Sequence, residues 1–521
     1  MLYDGGKVKM TNDMSRMFEE LQEIFQDGIL SDRTESTVKM AKIYDDNTQT
    51  DSTIYPYNNK LDMEVCKECS LDVAVRQLGK GKVGVAHFIS PPLLDGGARG
   101  GIISRESVFS VRTDLYFCLD DPRIKDKFTE NWYSAEYAYG VDDVLYLPGV
   151  MLCRDSNMNL LEEDDMNLIN MFISLTPYKM GCNITRNFDL NPRLIFEVYK
   201  SRLERIIDAA IDSEIDILVL GDLGCDANMC PPEIAADACR EVLAGQGGGN
   251  AFRKIIFAVD EPYSQSVNGQ ASMADAFATS LNKPVIESSV YSKRQISIMG
   301  DSISTLLGYN PPDYKVFYLP LEAQETDIRN MEDTWWGKVI EHLDGYLLVN
   351  NSWSGSRVSY DPDSDVFEGS AGCSNERTSA LHINNVYPDV IIVYMGTNDW
   401  GFGVPLKESI FGKKGESTFA TAYETMLAKL KHNYPGAEIW CVSLNCTYMS
   451  ADSSFVFPRM VNGVEIDKFN KEIHSLCKFY ECRYIDTAST GLRYDSIDGT
   501  HPNKRGMMEL ADAIIRLTDR L

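Results

Sequence analysis

Four short segments, far apart in the chain, hold residues whose types and spacing could do chemistry together. They are Gly300-Asp301-Ser302-Ile303, residues 351–356, Gly396-Thr397-Asn398-Asp399 and Asp498-Gly499-Thr500-His501. A serine hydroxyl is a weak nucleophile until a base removes its proton, and a third group must hold that base in the right tautomer. Ser302, His501 and Asp498 could supply these three functions. The pattern predicts a serine hydrolase that acts on an ester.

The remaining polar groups in these segments could stabilise the negative charge of a tetrahedral intermediate. Such an oxyanion needs about two or three hydrogen-bond donors. We expect the backbone N–H of Ser302, the backbone N–H of Gly355 and the side-chain amide of Asn398 to provide them. Glycine at position 355 would let the backbone approach the reacting carbonyl without an intervening Cβ. Ser302 is expected to open a helix, whose dipole would favour the developing charge.

The elements that must position these residues follow from the apolar pattern after residue 294. Short apolar runs typical of buried strands alternate there with amphipathic helical patterns. Strands are predicted at residues 295–299, 346–350, 389–395, 438–444 and 483–485, and helices at 335–343, 419–430 and 503–517. Three of the four segments directly follow a predicted strand, where open α/β sheets place their sites. We therefore expect one α/β domain with its site at this edge.

A second alternation of strands and helices precedes the first. Strands are predicted at residues 63–66, 83–89, 144–151, 171–175, 215–220 and 254–259, and helices at 14–25, 192–211, 232–243 and 271–281. This order implies another α/β domain with a largely parallel sheet. At 521 residues the chain is also too long for one ordinary core. We predict a domain at residues 1–284, a linker at 285–293 and a second domain at 294–521.

Composition and charge restrict the possible partners. The net charge is −27, of which −18 falls on residues 1–290, and such a surface repels nucleic acid. No apolar run is long enough to span a bilayer, and the first residues lack a secretory signal pattern. The 13 cysteines are scattered, and neither they nor the six histidines have the spacing of metal ligands. We expect a cytoplasmic protein with no metal, no cofactor, no nucleic-acid partner and no membrane partner.

The four segments resemble the motif blocks of the SGNH (GDSL-type) hydrolase family. The resemblance covers roughly residues 294–521 and departs nowhere from the catalytic pattern. It matches Ser302 to the family's serine, Gly355 and Asn398 to its glycine and asparagine, and Asp498 and His501 to its final pair. It implies a three-layer, flavodoxin-like fold. It also implies metal-free esterase, lipase or acylhydrolase activity on small or carbohydrate-linked esters.

Residues 15–280 are similar to the microbial type of poly(ADP-ribose) glycohydrolase, a macrodomain relative. The similarity rests on a strand at 83–89 followed by Asp95-Gly96-Gly97, on Ser104-Arg105-Glu106-Ser107, and on a second strand and loop through Leu223-Gly224-Cys225. It implies a macrodomain-like α/β/α fold with an ADP-ribose cleft. Gly96, Gly97, Glu106 and Gly224 would contact the ligand there.

This second resemblance has departures at the residues that matter for catalysis. Residues 105–107 read Arg-Glu-Ser, so Ser107 stands where the family has its catalytic glutamate. A serine cannot be the general acid for glycosidic cleavage at neutral pH. Residues 224–228 read Gly-Cys-Asp-Ala-Asn and lack a glycine and an aromatic of the family loop. Asp95 and Asp226 would also place carboxylates where phosphates should lie. We expect a retained fold that has lost its glycohydrolase chemistry.

The sequence leaves three classes of function open. The first is an esterase, deacetylating a carbohydrate or nucleotide-linked ester, with an N-terminal domain that binds an ADP-ribose-related ligand or is structural. The alternative is an ADP-ribose glycohydrolase that uses Glu106, or an ADP-ribose-binding protein, with an accessory esterase domain. A third is a binding protein without enzymatic activity. A small-molecule ester is the expected substrate of the first class.

Overall fold

The computed structural model describes most of the chain in two compact units. The described residues are 5–26, 28, 30–48, 62–89, 93–129, 140–177, 191–221, 223–224, 231–244, 248–260, 273–282, 291–319, 326–363, 367–410 and 412–519. The first unit lies within residues 1–180 and 195–288, and the second within 181–194 and 289–521. Most of the predicted linker lies outside the described residues. Within the described ranges, no helix has the length and apolar character needed to cross a membrane.

The first unit is an α/β structure. Its helices are α1 Gly5–Gln26, α2 Ser31–Lys39, α3 Ser70–Gln77, α4 Arg105–Arg112, α5 Leu115–Leu119, α6 Pro122–Ile124, α7 Pro192–Asp212, which the unit boundary crosses, α8 Pro232–Ala244 and α9 Met273–Leu281. Its strands are β1 Lys42–Tyr44, β2 Asp62–Cys66, β3 Val83–Ile89, β4 Val144–Leu152, β5 Asn167–Leu175, β6 Ile217–Leu220 and β7 Lys254–Ala258. The strands form one sheet in the order β1-β4-β5-β3-β6-β7-β2.

Burial on both faces explains the apolar strands at the centre of this sheet. Every residue of β3 is buried, and β3 pairs in parallel with β5 on one side and β6 on the other. Parallel strands covered on both faces are expected to read as continuous apolar runs. Toward the β1 edge the sheet becomes antiparallel, because β4 runs against both β1 and β5. The prediction of a largely parallel sheet is confirmed, with this antiparallel edge as the exception.

The second unit is a second α/β structure. Its strands are β8 Arg294–Gly300, β9 Gly345–Asn350, β10 Val390–Tyr394, β11 Glu438–Val442, β12 Cys446–Tyr448, β13 Arg483–Ile485 and β14 Arg493–Asp495. Its helices are α10 Trp335–His342, α11 Asn375–Ser379, α12 Thr397–Gly401, α13 Phe419–Asn433, α14 Ile466–Phe479 and α15 Lys504–Thr518. The main sheet has the order β13-β11-β10-β8-β9, and β12 pairs separately with β14.

The strand order of the second unit positions a site. All neighbours in the main sheet are parallel, and β8 lies between β9 and β10. From β8 the chain passes first to β9 on one side and then to β10 on the other. The order therefore reverses at the carboxyl end of β8, where open α/β sheets bind ligands. Apolar side chains cover both faces of this sheet and hold the strand ends in place.

Most element predictions are confirmed to within a few residues, but several helices had not been predicted. Among them are the longer helices α2, α3 and α14 and the short helices α5, α6, α11 and α12. The α14 sequence did carry a helical signal, since Ile466, Phe469, Ile473 and Cys477 are buried on one face at spacings of three and four residues. The strand predicted at residues 171–175 begins four residues earlier, because Asn167 and its neighbours pair antiparallel with β4.

Candidate active site

The candidate nucleophile lies in a tight turn immediately after β8. Asp301 is extended, and Ser302 begins a 3₁₀ helix of three residues, Ser302–Ser304. Ser302 therefore opens a helix as predicted, but that helix is a single 3₁₀ turn. The turn ends because the Thr305 hydroxyl donates to the Ser302 carbonyl (2.9 Å) and accepts the N–H of Phe317 (2.9 Å). One such turn carries no helix macrodipole, so only local N–H groups can act on developing charge.

Ser302, His501 and Asp498 form one chain of hydrogen bonds. The Ser302 Oγ lies 2.8 Å from His501 Nε2, and His501 Nδ1 lies 2.7 Å from a carboxylate oxygen of Asp498. With the Nδ1 proton directed at the carboxylate, Nε2 accepts from the serine hydroxyl. The Phe317 ring stacks on the imidazole with centroids 3.6 Å apart. The histidine is thus held by a carboxylate at one edge and an aromatic ring on one face.

The loop between β14 and α15 gives Asp498 its low pKa. Burial alone would raise the pKa of this carboxyl, but the hydrogen bonds from His501 and the N–H of Thr500 lower it to about 2. The carboxylate is therefore ionised throughout the neutral range. The Thr447 hydroxyl fixes the loop by donating to the Gly499 carbonyl (2.6 Å). Sequence spacing had predicted such a loop before a helix, and this prediction is confirmed.

The expected oxyanion-hole residues come from the ends of β9 and β10. Gly355 is exposed with φ +80°, and a Cβ built there would have no neighbour within 4 Å among the described atoms. Asn398 lies in the first turn of α12, and its side-chain N–H donates to the Ser356 carbonyl (2.8 Å). The side-chain amide of Asn398 thus contacts the residue that follows Gly355. Because an amide nitrogen carries two N–H bonds, one N–H remains for another acceptor.

Backbone hydrogen bonds join the segment 351–356 to the nucleophile strand. The N–H of Asn351 donates to the carbonyl of Ile298 (2.8 Å), and the N–H of Trp353 donates to that of Gly300 (3.2 Å). The four segments singled out from the sequence therefore lie in one hydrogen-bonded region. Two contacts there had no sequence signal: Phe317, in an irregular stretch, and Arg377, in the short helix α11.

Two buried carboxyls lie beneath this region. Burial raises the pKa of Asp301 to about 6, although the hydrogen bond from the N–H of Ile303 and the charges of His501 and Arg377 act to lower it. Burial also raises the pKa of Asp399, whose two oxygens accept backbone N–H groups of the segment that follows residue 356. These acids are part of the turn geometry rather than exposed groups that could meet a substrate.

In the first unit, the glycine loop uses its own carboxylate. Gly96 and Gly97 both have positive φ, as tight turns favour. Asp95 is buried, and its oxygens accept the N–H of Gly97 (3.1 Å) and of Arg99 (3.0 Å). Backbone N–H groups of this kind are the ones that could hold a phosphate. The loop has satisfied them internally.

Ser107 and Glu106 lie in the first turn of α4. Ser107 is fully buried and forms a capping box with Ser104: each side chain accepts the other's backbone N–H. Glu106 is half-buried in the same turn. Gly224 has φ +75° and packs against Thr176. The rest of the second loop, residues 225–228 with Asp226, lies outside the described residues.

Comparison with known proteins gives one family match and several similar structures. Residues 294–518 match the family described as GDSL-like Lipase/Acylhydrolase. A protein from Bacteroides ovatus described as a GDSL-like lipase is 26% identical (TM-score 0.35), over 44% of this chain and 100% of that one. A poly(ADP-ribose) glycohydrolase from Thermomonospora curvata is 22% identical (TM-score 0.43), over 52% and 99%. The Deinococcus radiodurans glycohydrolase in complex with ADP-ribose is 22% identical (TM-score 0.41), over 48% and 96%. No curated protein matches the chain.

Proposed function

We propose that the protein is a serine esterase whose second unit works through an acyl-enzyme, and the match of residues 294–518 to the GDSL-like Lipase/Acylhydrolase family supports this. The observation that carries the proposal is the hydrogen-bond chain from Ser302 through His501 to Asp498. A nucleophile within hydrogen-bonding reach of a base, itself oriented by a third group, is the arrangement that activates a hydroxyl.

In the first half of the reaction, the Ser302 oxygen attacks the ester carbonyl while His501 Nε2 takes the hydroxyl proton. The imidazolium that forms is stabilised by the ionised Asp498. The tetrahedral intermediate then collapses, and the C–O bond to the alcohol breaks. His501 returns its proton to the departing alkoxide, so the alcohol leaves neutral and the acyl group stays on the serine.

The oxyanion of this intermediate needs donors. We assign the N–H groups of Ser302 and Gly355 and the second side-chain N–H of Asn398 to this role. The hydrogen bond from Asn398 to the Ser356 carbonyl supports this assignment, because it orients the amide beside Gly355. In the second half of the reaction, His501 takes a proton from water. The water oxygen attacks the acyl carbonyl, the C–O bond to Ser302 breaks, and His501 returns the proton to the serine oxygen as the carboxylic acid leaves.

For the substrate, we propose a small acyl group, such as acetyl, on a carbohydrate or on a nucleotide-linked alcohol. For the first unit, we propose a recognition or structural role without glycohydrolase activity. The capping box of Ser107 supports this, because the residue that stands where the glycohydrolases have their general acid instead caps the N-terminus of α4. The use of loop N–H groups by Asp95 supports it as well. ADP-ribose release by the full chain would contradict this part of the proposal.

The test is an acyl-ester panel with the full-length chain, comparing wild type with Ser302→Ala. The panel should contain p-nitrophenyl esters of increasing acyl length, an acetylated sugar and an acetylated nucleotide. Ser489→Ala is a matched control, because Ser489 is exposed and lies outside the site. We expect hydrolysis by wild type and the control and loss of at least about 10³-fold in Ser302→Ala. Equal rates for the wild type and Ser302→Ala would refute the proposal.

A further inference from the structure

A fully buried arginine lies behind the candidate active site. Arg377 belongs to the short helix α11, which Ser374 caps, and its side chain has no exposed surface. Burial lowers the pKa of its guanidinium to about 10, so the group remains charged at neutral pH. None of the ion pairs among the described residues includes Arg377. Such a charge is tolerated only where hydrogen bonds replace its lost water.

The guanidinium donates to both sides of the proposed site. Its Nη2 donates to the Gly300 carbonyl (2.9 Å), at the end of the strand that leads to Ser302. The same nitrogen donates to the Asn351 carbonyl (2.7 Å), and Nε donates to the Asn351 side-chain oxygen (2.5 Å). Asn351 opens the segment that leads to Gly355. One planar group therefore contacts both β8, the strand that leads to Ser302 (the nucleophile strand), and residues 351–356, which lead to Gly355 (the oxyanion segment).

A third anchor fixes the guanidinium itself. Its Nη1 donates to the Ser370 carbonyl (2.7 Å), and Nη2 lies 3.8 Å from the Met395 sulfur, directly before the segment that carries Asn398. Arginine holds its N–H groups in a rigid plane, whereas lysine offers a flexible point charge. All three nitrogens are used here, so a lysine could not reproduce the contacts.

We infer that Arg377 is a positioning residue for the esterase reaction: its guanidinium fixes the spacing between the nucleophile turn and the oxyanion segment. This rests on the proposed function. Arg377 contacts the backbone of both segments and does not touch the reacting atoms. A displacement of donors by about 1 Å costs a large part of their effect on the transition state. Its loss should therefore lower kcat more than it raises KM.

The experiment compares Arg377→Lys with wild type in the full chain, with p-nitrophenyl acetate as substrate. Active sites are first counted with a fluorophosphonate, so that misfolded protein does not enter kcat. We expect kcat per labelled site to fall by about 10–100-fold with KM within about threefold. Arg202→Lys is the matched control: Arg202 is equally buried in the first unit and donates to the carbonyls of Leu175 (2.6 Å) and Gly140 (2.8 Å). It should lose stability while kcat per site stays unchanged.

If Arg377→Lys does not fold, a second variant tests the positioning role of Arg377. Asn351→Ala keeps the arginine and removes one acceptor, and we expect kcat per site to fall by about 3–10-fold. If Arg377→Lys folds and its kcat per site lies within twofold of wild type, the inference is overturned. If Arg377→Lys does not fold, the same result for Asn351→Ala overturns it. Either result leaves the proposed function intact. A wild type that neither hydrolyses the ester nor takes up the fluorophosphonate would remove the proposed function, and the inference with it.

Discussion

Replacing Asp498 by asparagine separates the two tasks of this carboxylate. One oxygen accepts the N–H groups of Thr500 (3.0 Å) and His501 (2.9 Å), and the other accepts the imidazole Nδ1 proton (2.7 Å). The asparagine carbonyl can keep the two backbone hydrogen bonds, so the loop should hold its shape. Its NH₂ group then faces Nδ1. The imidazole must carry its proton on Nε2, where it can no longer accept the proton of Ser302.

The expected loss follows from how exposed this group is. Where the aspartate of a serine-protease triad is buried, the same exchange lowers kcat by about 10⁴. The side chain of Asp498 is 46% exposed, so water can partly replace the lost acceptor. We therefore expect kcat to fall by about 10²–10³, equivalent to about 3–4 kcal/mol in the activation free energy. KM should change by less than about threefold, because the loop backbone is retained.

The assay is steady-state hydrolysis of p-nitrophenyl acetate at saturating substrate, with urea denaturation to confirm the fold. Asp486→Asn is the matched control, since Asp486 likewise accepts a backbone N–H, that of Ser489 (3.1 Å), but lies outside the site. The control should retain wild-type kcat. A kcat for Asp498→Asn within threefold of wild type would show that the carboxylate does not select the histidine tautomer.

Three further predictions concern other parts of the chain. Gly355→Ala should cost about 1 kcal/mol of stability, because the φ of this residue is +80°, and should lower kcat about 10-fold or more. Gly491→Ala is the control, because Gly491 has φ +77° and equally open surroundings. Urea denaturation and kinetics should show the loss of stability alone in this control. Ser107→Ala should cost about 1 kcal/mol in urea denaturation without changing kcat, and an unchanged midpoint would refute the capping role. Burial raises the pKa of Asp114 to about 6 from its ordinary 3.8. Between these two pH values the native state binds more protons than the unfolded state. The free energy of unfolding should therefore fall as the pH rises through this window, by up to about 3 kcal/mol. Asp114→Asn should remove that part of the pH dependence, and parallel curves for variant and wild type from pH 4 to 7 would contradict it.

Strand patterns and motif order were enough to predict that Ser302, His501 and Asp498 meet. Buried parallel strands have a strong apolar signal, and their carboxyl ends share one edge of the sheet. Asp498 and His501 lie three residues apart on a loop before a helix, so their contact could be predicted without knowing the strand order of the sheet. These features depend on short-range patterns, which a sequence displays directly.

Other features depend on tertiary contacts that no periodicity records. Phe317 reaches His501 from an irregular stretch, and Arg377 acts through carbonyl groups of distant residues. The turn at Ser302 resembles a helix start in sequence, but the hydroxyl of Thr305 ends it after three residues. In the first unit, sequence alone could not tell whether the glycine N–H groups face a ligand or the loop's own Asp95.

If Ser302 is a nucleophile activated by His501, a fluorophosphonate should label Ser302 covalently, and loss of the imidazole should slow that labelling. Full-length wild type and His501→Ala should be treated with a fluorophosphonate, and the adduct located by peptide mass spectrometry. We expect a single adduct on Ser302 in wild type and labelling slowed by at least about 10²-fold in the variant. Equal labelling rates in the two proteins, or ester hydrolysis that persists while the adduct lies on another residue, would show that His501 does not activate Ser302 as the nucleophile.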